Sequence, residues 1–325
     1  MNRPPIAWVL NLDAEHELEV GTHYAPTRHL REIVARESRR LLGSLVGPGD
    51  VVVTEETVRA AGRRAREIAR GLVGLAWSPT PRALALLEAA GAQIPRGPSL
   101  DTLRQVNARP FAAGVRSQQV DGSFDKWVAT HRDEALRLLA RAAPDGWLVR
   151  RTFGAAGRGR RRIAAGRPSQ AELQWLDASL KRGPLVIEPW VKVLVEYTRS
   201  GWVSPEGEVY VSPPCFQETT AAGAWTRTET AGRHEVARDD DEQLGAMVQR
   251  VGEALAREGY AGPFGIDAFR HAHLGKAGSV LNPLSEINAR FTMDWRESMA
   301  SVLERGSLRI TEVGAQADSA IRRDP

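Results

Sequence analysis

The sequence predicts an α/β protein in which a small domain with a parallel sheet precedes two α+β lobes. Through the first hundred residues, short apolar runs alternate with helical patterns, which is typical of a parallel sheet covered by helices on both faces. A glycine-rich segment at 148–166 then joins two predicted strands. Two further segments, GPFGIDAFRH (262–271) and SVLNPLSEINAR (279–290), predict a pair of antiparallel strands.

Length, charge and cysteine content limit the class of protein. The chain has 325 residues, so more than one domain is expected. Lys and Arg number 44 against 40 Asp and Glu, and the resulting net charge of +4 favours anionic partners without identifying them. Cys215 is the single cysteine, which excludes an intrachain disulfide and a cysteine-based zinc site. No apolar run has the length of a membrane span and the first residues do not resemble a signal peptide, so we expect a cytoplasmic protein without a membrane partner.

The elements of the first domain follow from its apolar runs and its helix-ending residues. Strands are predicted at AWVLNL (7–12), VVVT (51–54) and LVGLAW (72–77). Helices are predicted at 26–45, at 55–71 and at 78–91, where Gly91 ends the last one. The first strand is not followed by GxGxxG, so this domain is not an evident dinucleotide-binding domain.

The rest of the chain continues with strands and helices in a different order. Helices are predicted at 103–114 (broken near Pro110), 132–142, 168–183 and 239–259. Strands are predicted at 126–130, 147–151, 184–191, 195–203 and 208–213, with a tight hairpin at 204–207. We therefore predict a first domain at 1–102, a small lobe with its linking helix at 103–184, a large lobe at 185–310 and a polar tail at 311–325.

The segment SEINAR at 285–290 carries the most informative polar residues. Side chains alternate between the two faces of a strand, so Glu286, Asn288 and Arg290 are expected on one face and Ile287 in the core. The neighbouring strand supplies Asp267 in GIDAF. Carboxylate and amide oxygens suit Mg²⁺, and an arginine suits phosphoryl charge, so this set predicts a site for two Mg²⁺ ions and a triphosphate. The alternative is that Glu286 pairs with Arg290 only for stability.

The glycine-rich segment LVRRTFGAAGRGRRRIAAG (148–166) is a strand–loop–strand unit. Gly154, Gly157 and Gly159 would let backbone N–H groups approach the β- and γ-phosphates, with Arg150 reaching the same anion from the strand before the loop. Because the loop joins two strands and GK[ST] is absent, it is not a P-loop. Taken alone, the segment is more typical of a solvated basic turn or of a surface that contacts nucleic acid.

The order of these parts resembles that of the ATP-grasp ligases. A basic strand residue, a glycine loop, a helix, the LVIEPWV strand, GID and finally EINAR follow one another over roughly residues 100–310. The resemblance implies that the first domain is the small pre-ATP-grasp domain which this family commonly has. It also implies an ATP-grasp fold of two α+β lobes for the remainder.

The resemblance assigns roles to residues at matching positions. Arg150 stands where the family usually has lysine, and Glu188, Trp190 and Val191 lie in the hinge segment whose backbone binds adenine. Glu196 matches the acidic residue that bonds the ribose, at a spacing one residue longer.

The remaining assignments concern metal and phosphate. Asp267, Glu286 and Asn288 match the magnesium ligands, and Arg290 matches a catalytic arginine that steadies the phosphoryl group or acyl-phosphate. The family draws a second phosphate-binding cation from the region before the loop, where this chain offers Arg109 or Lys126.

These assignments imply an ATP-dependent carboxylate–amine or carboxylate–thiol ligase with ATP and Mg²⁺ as cofactors. A substrate carboxylate would become an acyl-phosphate that the nucleophile attacks, and the expected partners are small molecules such as amino acids or a peptide. Three alternatives stay open: a kinase of the same fold, a nucleotide-binding protein without catalysis, and a nucleic-acid-binding protein that uses GRGRRR. A homodimer is also open.

Overall fold

The computed structural model describes residues 4–117, 127–154, 157–220, 225–231, 235–274 and 277–305. Over these ranges the chain forms a small parallel sheet, a four-stranded sheet and a six-stranded sheet, together with helices that pack on them. None of the helices in these ranges combines the length and the apolar composition that crossing a bilayer requires. The predicted polar tail at 311–325 lies outside the described residues.

The first domain contains the predicted parallel sheet. Its elements are β1 (Ile6–Val9), α1 (Ala14–Val20), α2 (Arg28–Ser38), β2 (Val51–Val52), α3 (Glu55–Ala61), β3 (Val73–Ala76) and α4 (Pro81–Ala89). The strand order is β2-β1-β3, and both pairings are parallel. Two helices are shorter than predicted, because α2 and α3 each pass into a 3₁₀ turn. At the end of α3 the cause is local: Gly62 has φ of +52°, which an α-helix cannot accommodate.

Two helices, instead of the single one predicted, link the first domain to the lobes. They are α5 (Leu100–Val106) and α6 (Arg109–Ser117). Pro110 lies in the first turn of α6, where the missing N–H removes no helical hydrogen bond. The break that the sequence placed near Pro110 is thus the start of a new helix.

The small lobe is a four-stranded antiparallel sheet with helices on it. Its elements are β4 (Val128–Ala129), α7 (Arg132–Leu139), β5 (Trp147–Arg151), β6 (Arg160–Ile163), α8 (Gln170–Leu180) and β7 (Leu185–Pro189). The strand order is β4-β7-β5-β6. Trp147, Leu139 and Ile187 are fully buried in its core, and β5 and β6 form the predicted hairpin around the glycine loop.

The large lobe contains a sheet with α9 on one face. Its first elements are β8 (Val193–Val203), β9 (Val209–Val211), β10 (Cys215–Thr219), β11 (Trp225–Thr230), α9 (Arg238–Arg257), β12 (Gly262–Ala272) and β13 (Ser279–Asn288). The order is β11-β10-β8-β12-β13, and β9 pairs with β8. β10 and β11 were not predicted, since their polar sequences CFQET and WTRTET lack an apolar run. Val251 of α9 lies in one buried cluster with Phe264 and Ile266 of β12, and the alternation of a strand puts Asp267 on the face opposite to Ile266.

The first domain and the large lobe share a hydrophobic core. Trp8 and Trp77 from the first domain lie in one buried cluster with Trp202, Phe291 and Trp295. The last of these belongs to α10 (Trp295–Ser298), which α11 (Ala300–Glu304) follows. The Trp8 and Phe291 rings lie 5.2 Å apart edge to face, and the Phe291 amide donates to the Trp77 carbonyl. The predicted boundary at 102 stays a prediction.

Candidate functional site

The centre of the site is the pair of carboxylates on β12 and β13. Asp267 and Glu286 are directly opposite each other in the strand register, so their side chains lie on one face of the sheet. The Asn288 amide donates from Nδ2 to Oδ2 of Asp267 over 3.1 Å. The structure therefore brings the three predicted metal ligands together.

Arg290 reaches the same place by a different route from the one predicted. β13 ends at Asn288, so the alternation of a strand does not orient Arg290. Its guanidinium instead donates to Oδ1 of Asn288 over 2.8 Å and forms an ion pair of 2.6 Å with Glu15 of α1. The guanidinium also lies over the Trp77 ring, 5.4 Å from its centroid. Both Glu15 and Trp77 come from the first domain, which therefore contributes to this site.

The electrostatics of the pair favour a cation. Burial, and then the neighbouring Glu286 carboxylate, raise the pKa of Asp267 to about 7, although the Asn288 hydrogen bond and Arg290 act in the opposite direction. A divalent cation between the carboxylates would remove this repulsion, and all three ligands offer oxygen, as Mg²⁺ prefers. In the described ranges, no three His, Cys, Asp or Glu side chains are grouped to hold a metal, and the third predicted ligand, Asn288, is an amide.

Arg109, at the start of α6, joins the glycine loop to the carboxylate pair. Its Nη2 donates to Oε1 of Glu286 over 2.9 Å and to the Gly154 carbonyl over 2.7 Å, while Nη1 donates to the Arg151 carbonyl over 2.9 Å. The sequence left Arg109 and Lys126 as alternatives for the second phosphate-binding cation. Arg109 lies at the site, and Lys126 lies outside the described residues. The partner of Glu286 is thus Arg109, and the Glu286–Arg290 pair considered from sequence does not form.

Arg150 is buried between the small lobe and β13. Nη2 of Arg150 lies 2.5 Å from Oε2 of Glu188, and both terminal nitrogens donate to the Ser285 carbonyl over 3.2 Å. Burial lowers the pKa of Arg150, but Glu188, Glu286 and Asp267 together outweigh burial and raise it, so the group is a permanent cation. Among the described residues, the buried Nε atoms of Arg150 and Arg109 have no hydrogen-bond partner. An anion bound between the lobes would supply one.

Glu188 has a second arginine partner, which sequence reasoning missed. Arg116, near the end of α6, donates from Nη2 to Oε1 of Glu188 over 2.6 Å. Burial alone raises the pKa of Glu188, but the two guanidinium groups, Arg150 and then Arg116, lower it to about 2. The available signal was spacing: Arg116 follows Arg109 by seven residues, which puts both on the same helix face. Glu188 was predicted as part of the adenine hinge, and here its carboxylate is fully engaged by arginines.

The glycine loop has the backbone geometry that requires glycine. Gly157 and Gly159 have φ of +76° and +71°, a region that other residues rarely adopt. A Cβ on Gly154 would lie 2.4 Å from the Arg158 carbonyl oxygen. The Arg151 amide donates to the Gly159 carbonyl over 2.8 Å, which closes the base of the loop. Residues 152–154 and 157–159 of the loop are described, and Arg109 anchors the first of these segments through the Arg151 and Gly154 carbonyls.

The predicted hinge and ribose residues lie around this centre. The Trp190 amide donates to the Gly146 carbonyl, and its ring is covered by Arg162 at 4.6 Å, so Trp190 packs on the small lobe. Val191 lies in the short connection between β7 and β8. Glu196 accepts from Thr219 over 3.0 Å and lines a surface cavity of about 540 Å³ together with Leu194 and Phe216. The lining residues include neither Asp267 nor Glu286.

The register of β8 and β12 relates Glu196 to the carboxylate pair. Glu196 lies opposite Phe269, and Thr198 lies opposite Asp267. Residues opposite each other share a face, and so do residues two apart, so Glu196 is on the same sheet face as Asp267. The predicted ribose and metal residues thus line one surface.

Comparison with known proteins gives the architecture a precedent. Neither a family model nor a curated protein matches the sequence. Among solved structures, D-alanyl-alanine synthetase A from Vibrio cholerae matches with a TM-score of 0.54 at 15% identity, over 97% of each chain. Pyruvate carboxylase from Rhizobium etli matches with a TM-score of 0.54 at 14% identity, over 91% of this chain and 27% of that chain. An ADP complex of purK, an N5-carboxyaminoimidazole ribonucleotide synthetase, matches with a TM-score of 0.50 at 16% identity, over 89% of this chain and 70% of that chain.

At these identities the likeness is one of fold, and it agrees with the fold class predicted from sequence. The predicted order of parts is found here. A small parallel sheet comes first, then a small antiparallel lobe with a glycine hairpin, and then a large sheet in which the paired strands β12 and β13 carry Asp267 and Glu286. The chain has the ATP-grasp fold.

Proposed function

We propose that this protein is an ATP-dependent ligase that activates a small carboxylate, such as that of an amino acid or peptide, for attack by an amine. One observation carries the proposal. Two buried arginines, Arg109 and Arg150, each have an Nε without a hydrogen-bond partner in the part of the chain that the structure describes, and both lie beside the Asp267–Glu286 pair. Cations for phosphates and oxygen ligands for Mg²⁺ are the two requirements of a triphosphate site, and this surface offers both.

Each group of residues at the site would have a separate role in phosphoryl transfer. Asp267, Glu286 and Asn288 would hold Mg²⁺, which when bound neutralises the charge of the triphosphate. The glycine loop would cover the phosphates with its N–H groups, and Arg109 and Arg150 would hold the transferred group. Arg290, kept in place by Glu15 and Asn288, would stabilise the acyl-phosphate until the amine displaces phosphate.

The solved structures support a ligase over the other enzyme classes considered. The structure from Vibrio cholerae carries the name of an enzyme that joins two amino acids, and it aligns along 97% of both chains. Two arginines of the glycine-rich segment favour ATP over nucleic acid, because Arg161 and Arg162 lie over Trp175 and Trp190 of the small lobe. Arg109 and Arg150 are buried and face the carboxylates.

The first prediction tests the metal carboxylate. Glu286→Gln keeps the side-chain shape and removes the charge, so Mg²⁺-dependent ADP release should fall by about 100-fold or more and the magnesium requirement should rise. ADP release would be measured with pools of amino acids and amines, and products would be identified by mass spectrometry. Glu242→Gln is the matched control, since Glu242 is an exposed residue paired with Arg238.

The outcomes separate the alternatives. A joined product together with ADP supports the ligase, whereas a phosphorylated substrate that accumulates without joining indicates a kinase. ATP binding without turnover in any pool indicates a nucleotide-binding protein without catalysis. A Glu286→Gln protein with unchanged activity and an unchanged magnesium titration contradicts the proposed site.

A further inference from the structure

Arg116 is a buried residue of α6 that the proposed chemistry does not use. Its guanidinium bridges two elements: Nη2 lies 2.6 Å from Oε1 of Glu188 on β7, and Nη1 donates over 2.9 Å to the Leu284 carbonyl on β13. We infer that Arg116 is a positioning residue for the nucleotide, because it engages one oxygen of Glu188 and so leaves Arg150 free to serve a phosphate. The inference rests on the proposed nucleotide site.

The Glu188 carboxylate divides its two oxygens between two arginines. Arg116 takes Oε1, and Arg150 takes Oε2 over 2.5 Å. Arg150 therefore has a single contact with Glu188, and its Nε has no partner among the described residues. A carboxylate that faces one arginine alone prefers a bidentate pair, which would occupy a second N–H of that arginine. Arg116 prevents such a pair from forming between Glu188 and Arg150.

Helix α6 gives this arrangement its rigidity. Arg109 and Arg116 are two turns apart on one face, and both contact β13 or its side chains, at Glu286 and at Leu284 respectively. Each arginine holds one of the two acidic residues that frame the proposed site, namely Glu286 for the metal and Glu188 beside Arg150. A single helix thus fixes the distance between β13, which carries Glu286, and β7, which carries Glu188.

A double-mutant cycle on the full-length protein tests the inference. ATP affinity would be measured by calorimetry, with and without Mg²⁺, for Arg116→Met, Glu188→Gln and the double variant. We expect Arg116→Met to weaken ATP binding about tenfold, within the range of coupling between hydrogen-bonded neighbours, and to change kcat at saturating ATP by less than about threefold. In the Glu188→Gln background, Arg116→Met should have no further effect, since the competing carboxylate is absent.

Two more variants keep the test decisive. Arg116→Lys retains a cation that can engage Glu188 and should recover most of the ATP affinity, whereas Arg132→Met removes an exposed arginine paired with Asp177 and should change nothing. Should Arg116→Met fail to fold, Arg116→Gln, which keeps a donor but loses the charge, replaces it in the cycle.

The outcomes distinguish this inference from the proposed function. Equal weakening of ATP binding by Arg116→Met in both backgrounds means that Arg116 acts only through β13, and it overturns the inference while leaving the ligase proposal in place. A wild-type protein that does not bind MgATP overturns both.

Discussion

Glu188 shows how a single residue can be found by sequence and yet be given an incomplete role. Its position in LVIEPWV indicated a hinge beside the adenine, and the structure places the residue at the end of β7 as expected. Its carboxylate, however, lies between Arg150 and Arg116 and is almost completely buried. No local pattern reveals these partners, because they come from residues 38 and 72 positions away.

The second prediction concerns the pH dependence of stability at Glu188. The pKa of Glu188 is lowered from 4.5 to about 2, so the folded protein favours the charged form. This stabilisation is fully present above pH 4.5 and is lost as pH falls towards 2. At pH 7, Glu188→Gln should lower the free energy of unfolding by about 3 kcal/mol. In this variant the free energy of unfolding should also fall less steeply than in the wild type as the pH decreases. Urea titrations between pH 7 and pH 3 measure both quantities.

An exposed glutamate provides the comparison for this measurement. Glu242→Gln should change the free energy of unfolding by no more than about 0.5 kcal/mol at any of these pH values. A Glu188→Gln protein that is as stable as the wild type at pH 7 would show that the buried ion pairs contribute no net stability.

At the scale of elements, the glycine hairpin is the part that depends most on backbone conformation. β5 and β6 pair in register from Trp147 with Ile163 to Arg150 with Arg160, and the loop between them turns through residues with positive φ. The hairpin is held to the large lobe by Arg109, which contacts both the Gly154 carbonyl and Glu286. A change of loop conformation should therefore alter the position of the Glu286 carboxylate.

The third prediction is that Gly157→Val weakens ATP binding without unfolding the protein. Valine at φ of +76° is strained, so the loop should move away from the geometry that brings its N–H groups to phosphate. We expect ATP affinity to fall by about tenfold or more and the melting temperature to change little. Calorimetry and thermal unfolding on the same sample measure the two effects.

Gly166 is the matched control for this substitution. It also has a positive φ, +107°, with open space around a Cβ, and it lies beyond β6, outside the loop. Gly166→Val should therefore cost similar backbone strain and spare ATP affinity. Equal affinities for the two variants would contradict the phosphate-covering role of the loop.

At the scale of the whole molecule, the first domain and the large lobe are joined by their aromatic core. Trp295 is fully buried, lies 5.1 Å from the Phe291 ring, and donates from its indole to the Gly201 carbonyl. Phe291 in turn contacts Trp8 of β1. The two units therefore depend on the same residues for stability, even though the sequence predicts a boundary between them.

The fourth prediction follows from this shared core. Trp295→Ala should lower stability by about 3–5 kcal/mol, since it removes a large buried ring and a hydrogen bond. Hydrogen exchange followed by mass spectrometry should show faster exchange in β1, β3 and β8 together. Leu176→Ala, in the core of the small lobe, should accelerate exchange in β5 and β7 only. Faster exchange in the large lobe alone after Trp295→Ala would indicate that the first domain is independently stable.

Alternating and helical apolar patterns are local properties, so the sequence alone predicts the fold class and most of the elements. It also determined which residues belong together on β12 and β13, since strand alternation and pairing place Asp267, Glu286 and Asn288 on one face. The exceptions are elements without such patterns: α1 is only seven residues long, and β10 and β11 are polar.

Which charges pair depends on the packing of segments that are distant in the sequence. Arg109 with Glu286, Arg116 with Glu188 and Arg290 with Glu15 join residues 177, 72 and 275 positions apart. The sequence does not show which of the many acidic residues a given arginine will contact, because the contact depends on how helices and sheets pack. The carboxylates of this site and three of its arginines were therefore predictable from the chain, whereas Arg116 and the pairing of each arginine with its carboxylate depend on the packing of α1 and α6 against the large lobe.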